Sequence, residues 1–369
     1  MESVLILLAL FSINNSPAKR IHKINTGYPT GKGIIEYNTT LRGIGTHDIG
    51  NLLLMIDDVG GQEGWRYTHI WPKAWNIDHL YWNWLAIGYS ETNVSDGWDF
   101  DWSTTPNGAI IITEPGVLAD EQGYAQFNDT VNGIEVTQAS YAWVDSAHED
   151  YVIIKYRIVN TGNSTFSNLY AGHRSDFDVY GDHAGAPTDM SDFDHTRNLG
   201  YMWDVGYSTH VGVKLLEGTY RGYRNTGWYA YSDSTKYYAL STPGADPQTP
   251  CADDYCFWLS SGPHTLIPGD SIIIAFAFLG GNDLTDLQVN ADSAQSKWNS
   301  LRVEEEKVGE LIDIHYTTTI FSGPFTLPQG KTCKILDITG RHIHSLNPVP
   351  GIYFIQVDDK IVQKVVKIK

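Results

Sequence analysis

Six aspartates fall within nineteen residues: Asp176, Asp178, Asp182, Asp189, Asp192 and Asp194. Hard cations such as Ca2+ need several oxygen ligands at once, and carboxylates on Gly-containing loops supply them. In Asp176-Phe-Asp178 and Asp192-Phe-Asp194, an extended backbone puts both carboxylates on one side and Phe177 or Phe193 on the other. An EF-hand does not fit, because Tyr180 stands at the fifth loop position and Pro187 at the twelfth. The pattern predicts a structural Ca2+ site, set against the plainer reading of a solvated acidic loop.

Aromatic density is the second chemical signal. Residues 65–102 hold Trp65, Trp71, Trp75, Trp82, Trp84, Trp98 and Trp102. Trp beside Asp can stack on a sugar ring while the carboxylate hydrogen-bonds its hydroxyls. Most of these rings belong to a core, and Trp82 and Trp84 are expected to pack inward. Gly97 marks a loop, so Trp98 and Trp102, with Asp99 and Asp101, are the candidates for an exposed carbohydrate-binding surface.

Catalytic motifs are few. There is no His-Glu-x-x-His zinc motif and no Gly-x-Ser-x-Gly elbow. Gly27-Tyr-Pro-Thr-Gly-Lys-Gly33 lacks the spacing and the hydroxyl of a phosphate loop. His342-x-His344 reads as a solvated strand face. Paired carboxylates for glycoside hydrolysis stay open, as does a convergence of His173, Asp176, His195 and His210.

These residues need a scaffold. The chain has 369 residues, 42% hydrophobic and only 18% charged, enough for two to three packed domains. A net charge of −18 argues against a partner held through nucleic-acid phosphates. Short apolar runs separated by Gly, Asn, Asp and Pro turns recur from residue 51 onward, including Ala109–Thr113, Gly133–Ala139, His210–Leu216 and Lys236–Leu240. Tyr151–Asn160 puts Val152, Ile154, Tyr156 and Ile158 on one face by period two. Ser271–Leu279 is apolar on both faces, as a central strand requires. The expected class is all-β, a large β-sandwich. One helix is expected over Leu284–Leu301, where Leu287, Ala291, Ala294, Trp298 and Leu301 form one face. The charged stretch Arg302–Lys307 reads as a linker, and residues 331–369 are basic, with seven Lys or Arg against three Asp.

The apolar run Val4–Phe11 reads as the core of a signal peptide over residues 1–16 and is too short to span a bilayer. No later run is long enough for a transmembrane segment. In an exported chain, Cys251 and Cys256 would form a small-loop disulfide, leaving Cys333 unpaired.

The C-terminus reads as three strands: Cys333–Arg341, Pro350–Val357 and Ile361–Lys369. It resembles the type A C-terminal sorting domain of the type IX (Por) secretion system. The resemblance rests on Leu336-Asp-Ile-Thr-Gly-Arg341, Gly351-Ile-Tyr-Phe354 and Lys364-Val-Val-Lys367. The residues matching its motifs are Asp337, Gly340, Arg341, Gly351, Tyr353, Lys364 and Lys367. The usual Tyr-Pro-Asn-Pro opening is replaced by Ser322-Gly-Pro-Phe325. The resemblance implies a small Ig-like β-sandwich over 303–369, recognised by the type IX machinery at the outer membrane of a Gram-negative-type bacterium. His47-Asp-Ile-Gly-Asn51 and Gly133-Ile-Glu-Val-Thr-Gln138 resemble secreted β-rich modules that precede such domains. The expectation is a secreted or cell-surface, non-enzymatic protein. Its domain over 17–302 would be Ca2+-stabilised, with surface polysaccharide as a candidate partner. The competing expectation is a secreted glycoside hydrolase or polysaccharide lyase.

Overall fold

The computed structural model describes residues 43–63, 68–97, 99, 101–180, 188–227, 232–250, 254–312, 319–321, 325, 333–337, 341–357 and 360–368. All of them fall within one unit, Leu41–Lys369. Segment 1–16, expected as a signal peptide, and the strand expected at Gly33–Tyr37 lie outside the described residues.

The strands run β1 (Ile44–His47), β2 (Leu53–Asp57), β3 (Gly61–Glu63), β4 (His69–Ile70), β5 (Leu80–Ser90), β6 (Asn93–Asp96), β7 (Ser103–Thr104), β8 (Ile111–Thr113), β9 (Glu121–Asp129), β10 (Ile134–Ala142), β11 (Tyr151–Asn160) and β12 (Phe166–Phe177). They continue as β13 (Asp189–Asp194), β14 (Leu199–Asp204), β15 (His210–Glu217), β16 (Tyr220–Gly227), helix α1 (Asp233–Ser241), β17 (Gly244–Ala245), β18 (Tyr255–Leu266), β19 (Ser271–Gly281) and helix α2 (Leu284–Ile312). The last five are β20 (Thr319–Phe321), β21 (Cys333–Asp337), β22 (His342–Ile343), β23 (Gly351–Val357) and β24 (Lys360–Lys367). The chain is predominantly β, as its turn-punctuated apolar runs predict.

Two large sheets pack face to face. One has the order β13-β14-β15-β19-β11-β10-β9-β7, with β8 also on β9; the other is β17-β16-β18-β12-β5-β3, with β6 also on β5. A small sheet β1-β2-β4 adds a third surface. The shared core takes Val152, Ile154, Tyr156 and Ile158 from β11 and Ile274, Phe276 and Phe278 from β19. The opposing sheet supplies Leu85, Ile87, Leu169, Ala171, Phe177, Phe257 and Leu259. Ser271–Gly281 is central, as its two apolar faces require, flanked by β15 and β11. Its other face, Ala275, Ala277 and Leu279, packs under the expected face of α2: Leu287, Ala291, Ala294, Trp298 and Leu301.

Two sequence expectations are corrected. Lys236–Leu240, read as a strand, lies in α1, because Ser232 caps a helix start by accepting from the Thr235 N–H. Lys236, Ala239 and Leu240 then fall on one buried face. Arg302–Lys307, read as a linker, continues α2, which runs to Ile312. Trp84 is buried in a core, as expected, with Trp82 packed beside it; that core lies on the outer face of the seven-stranded sheet, in a cluster with Trp258 and α1.

The C-terminal strands form a separate sheet, β20-β24-β23-β21-β22, with β20 parallel to β24. It has its own apolar cluster, Phe325, Ile335, Tyr353, Ile355 and Val365. Among the described residues no helix is long and apolar enough to cross a membrane.

The inter-sheet core also buries histidines. His173 Nδ1–H donates to Asn83 Oδ1 at 2.6 Å, and Asn83 passes a hydrogen bond to Ser175 Oγ at 2.6 Å. His79 Nε2–H donates to the Trp71 carbonyl at 2.7 Å, and its Nδ1 accepts the Tyr180 N–H at 3.0 Å, which fixes the neutral tautomer. His69 lies edge-on to His79 and Phe177. Burial holds His69 and His173 down to about 3 and His79 to about 4, from 6.5. Below pH 6.5 the unfolded chain binds protons that the folded chain refuses, so stability falls with pH down to about 4. Each histidine contributes up to about 1.4 kcal/mol per pH unit. The urea midpoint should therefore drop steeply between pH 6.5 and 4.5, and His173→Gln should flatten that slope. Equal slopes in wild type and variant would show that His173 does not contribute.

Candidate functional site

The outer face of the seven-stranded sheet carries the chemistry. Strand pairing aligns Gly61, Trp84, Arg174, Trp258 and Arg224 across five strands. Arg174 lies against the indole of the neighbouring strand, its Cζ 4.6 Å from the Trp84 ring centroid. One pleat further along β12, Asp176 pairs in register with Trp82, and Trp82 meets Trp84 edge-on. Arg174 Nη1 donates to Asp176 Oδ2 at 3.1 Å, both side chains being buried. Asp178 follows just beyond the strand, and Asp254 arrives from the residue before β18. Oxygens of Asp176, Asp178 and Asp254 lie within 4.8 Å of one another.

Burial raises the Asp176 pKa; Arg174 opposes the shift and the Asp178 charge adds to it. Beside them, burial pushes the Cys256 thiol up to about 12. The Cys256 thiol donates to the Thr226 carbonyl at 3.3 Å. Its expected partner, Cys251, lies outside the described residues.

The aspartate run is thus divided. Asp176 and Asp178 leave the seven-stranded sheet, whereas Asp189, Asp192 and Asp194 belong to β13 of the nine-stranded sheet. Asp189 Oδ2 accepts the Val179 N–H at 2.7 Å. Asp192 accepts from the Phe193 N–H and the Tyr201 hydroxyl. Asp194 pairs with Arg197, which also holds Asp292 on α2. Asp182 lies outside the described residues. The third carboxylate of the converging set, Asp254, has no partner in local sequence that would mark it. Arg174 was legible as the next period-two position before Asp176 and Asp178.

Of the two candidate rings for an exposed surface, only Trp102 is among the described residues. Trp102 is 6% exposed and packs edge-on against Phe127 in the core, at 5.2 Å between centroids. Trp98 lies outside the described residues. Asp96, Asp99 and Asp101 do converge within 4.8 Å, but the Lys236 ammonium from α1 pairs with Asp96 and Asp99. Asp101 Oδ2 accepts the Asp96 N–H at 3.0 Å. Burial disfavours the Lys236 charge, yet the two carboxylates outweigh it and hold its pKa up. This acidic group is the anchor of α1. His173 and Asp176 point to opposite faces of β12, and His210 stacks on Trp203 in the other sheet, so the four-residue convergence does not form.

In the C-terminal sheet, Asp337 accepts from the Arg341 N–H at 3.0 Å and Arg341 Nε at 3.1 Å; Gly340 lies outside the described residues. Gly351 opens β23, and the Tyr353 hydroxyl donates to the Val349 carbonyl at 2.7 Å. Lys364 pairs in register with Phe354, its side chain lying outside the described residues, and buried Lys367 donates to Asn347 Oδ1.

No family model matches the chain, and no curated protein matches it. Among solved structures, a bacterial glucoamylase complexed with acarbose is 8% identical with a TM-score of 0.47, covering 70% of this chain and 35% of that one. The chain thus spans about a third of the glucoamylase's length. A putative aldose 1-epimerase from Escherichia coli K12 is 11% identical, TM-score 0.34, covering 65% and 99%. A polysaccharide lyase is 9% identical, TM-score 0.30, covering 89% and 46%.

Breaking the Lys236 anchor leaves Asp96, fully buried, without its ammonium. Lys236→Met should cost about 3–5 kcal/mol in urea unfolding. Adding Asp96→Asn should recover part of that loss, because the uncompensated charge is gone. A double variant as unstable as the single one would mean that lost packing, not charge, sets the cost.

Proposed function

We propose that the chain is an exported cell-surface or extracellular protein. In this reading its β-sandwich over 17–302 is locked by a divalent cation and has a binding or structural role. The observation that carries the reading is the convergence of Asp176, Asp178 and Asp254 at one end of the seven-stranded sheet. Carboxylate oxygens are the donors that Ca2+ prefers, and two of the three side chains are buried where unneutralised charge is costly. Residues 303–369, whose first ten residues complete α2, would contain the type A sorting domain, in an Ig-like arrangement, that delivers the chain through the type IX machinery. The separate apolar cluster of the C-terminal sheet and the Asp337–Arg341 ion pair support that assignment. Surface polysaccharide is the proposed partner class.

A second reading, a polysaccharide-cleaving enzyme, draws on the raised Asp176 carboxyl beside Asp178, the pairing a general acid needs. The two readings separate cleanly. A bound cation would keep all three carboxylates ionised, whereas an acid catalyst requires one to hold its proton.

Two measurements test the proposal. With Ca2+ at a hundred times its dissociation constant, linkage adds about 2.7 kcal/mol, so the melting temperature should rise by roughly 5 °C over the EDTA-treated protein. Asp254→Asn should abolish most of that rise; identical melts with EDTA and with Ca2+ would end the cation reading, and sugar release from a glycan panel would favour the enzyme. For export, deleting 303–369 should leave the protein in the periplasm. Normal surface delivery of the shortened chain would remove the sorting assignment.

A further inference from the structure

A second group of chemistry-bearing side chains converges far from the charged row. His47 ends β1, Glu121 opens β9 and Ser140 lies on β10. His47 Nε2 stands 2.7 Å from Ser140 Oγ, and Nδ1 stands 2.9 Å from Glu121 Oε2. All three residues are buried. A carboxylate only accepts, so Nδ1 carries its proton toward Glu121. The neutral ring then has its lone pair at Nε2, and the Ser140 hydroxyl donates to it. Glu121 Oε2 also accepts the Asp48 N–H at 3.2 Å, which fixes the carboxylate. Hydroxyl, imidazole and carboxylate therefore stand in the order of a nucleophile served by an oriented base.

The surroundings explain why this group is closed and how it would open. Ser140 faces Gly123 across β10 and β9. A Cβ built on Gly123 would stand 2.2 Å from Ser140 Oγ, 3.3 Å from His47 Nε2 and 2.8 Å from Ile112 Cδ1. A Cβ on Gly45, in β1, would meet Ile112 Cγ1 at 2.7 Å. Two glycines on two strands thus make the room into which Ile112 drops, over the serine hydroxyl. Ile112 is carried by β8, a three-residue strand that pairs with β9, and its neighbours Ile111 and Thr113 are exposed. Beyond its pairing with β9, the strand is held by Ile112, by Ile110 just before it, which packs on the core beside Gly45, and by the Thr113 hydroxyl, which donates to the Gln122 carbonyl at 3.1 Å; so short an edge strand opens at lower cost than the long strands beneath it.

We propose that Ser140, His47 and Glu121 form an acyl-accepting site for small esters, uncovered when β8 lifts Ile112 away. Ser140 Oγ bonds to the ester carbonyl carbon while its proton passes to His47 Nε2. The bond to the alcohol oxygen breaks, and the alcohol leaves with that proton. Water then repeats the sequence on the Ser140 ester, releasing the carboxylic acid and restoring the hydroxyl. The space vacated by Ile112, between Gly45 and Gly123, suits a short apolar acyl chain. Neither the cation site nor the sorting domain takes part, so this proposal fails or stands independently of those.

The full chain, treated with a fluorophosphonate probe, tests it by intact mass and peptide mapping. One phosphonyl adduct is expected on Ser140, with loss of fluoride. Ile112→Ala should speed its formation severalfold, Ser140→Ala should abolish it, and His47→Gln should slow it by about 100-fold or more. Ile112→Val serves as the opening variant if Ile112→Ala lowers the melting temperature. An unlabelled Ser140 in wild type and in a natively melting opening variant would overturn the proposal. An adduct that forms equally fast in His47→Gln would do the same, leaving the three residues as a buried bracket between β1, β9 and β10.

Discussion

Along β12 the side chains of His173, Ser175 and Phe177 point between the two sheets, while those of Arg174 and Asp176 point the other way. Both faces are buried over this stretch. The pleat allows no compromise: a shift of one residue would send a guanidinium into the inter-sheet core and a phenylalanine into the carboxylate group. The register on both sides therefore has to be fixed. It is fixed by Trp84 and Trp82 on β5, and by Trp258 on β18, which flank the charged positions. The inner polar bridge from His173 through Asn83 to Ser175 ties the same two strands, β12 and β5, from below. The apolar core and the charged row are two consequences of one strand alignment.

Buried charge on the outer face is tolerated because each cation has a shaped place. Arg174 lies against an indole face and touches a carboxylate, using its planar group for both contacts. Lys236, a point charge, sits among Asp96 and Asp99 instead. Neither pair is an efficient source of stability, since desolvation consumes most of the Coulombic gain. What they give is specificity of placement. Lys236 can satisfy its ammonium in one position of α1 over β6, and Arg174 can satisfy its guanidinium in one register of β12.

Much of this architecture was legible where a single period governs a segment. Tyr151–Asn160 alternates without interruption and forms β11 with the expected inner face. Leu287 to Leu301 repeats at three and four residues and forms the buried face of α2. Segments that answer to two signals were not. Lys236-Tyr-Tyr-Ala-Leu240 is apolar enough for a strand, but Ser232 and Asp233 start a helix before the run begins. The aspartate run reads as one cluster in sequence, yet the chain changes sheets between Phe177 and Asp189; Asp189 still holds the Val179 N–H, while Asp192 and Asp194 follow β13 to other partners. Asp254 joins Asp176 only through the pairing of β12 with β18, a contact between distant segments that no local pattern records. Trp102 looked free because Gly97 precedes it, although a glycine turn can as well return the chain to the core.

The difference between the two outer faces follows from the lengths of the helices that cover them. α2 has 29 residues and lays an apolar stripe along the nine-stranded sheet. α1 has nine residues, a rod of about 13 Å, which can roof roughly three strands at 4.8 Å spacing. It settles over Gly88 and Gly172, where Leu240 fills the space that side chains would take. Asp176 lies four residues further along β12, about 13 Å at strand rise, and beyond the reach of that roof. A sheet face left uncovered by a helix must be closed by something else. Here indole rings and an arginine close it partway, and carboxylates from two separate points of the chain finish the edge. The charged end of the sheet is thus the complement of a short helix, and its polarity is set by how far that helix extends.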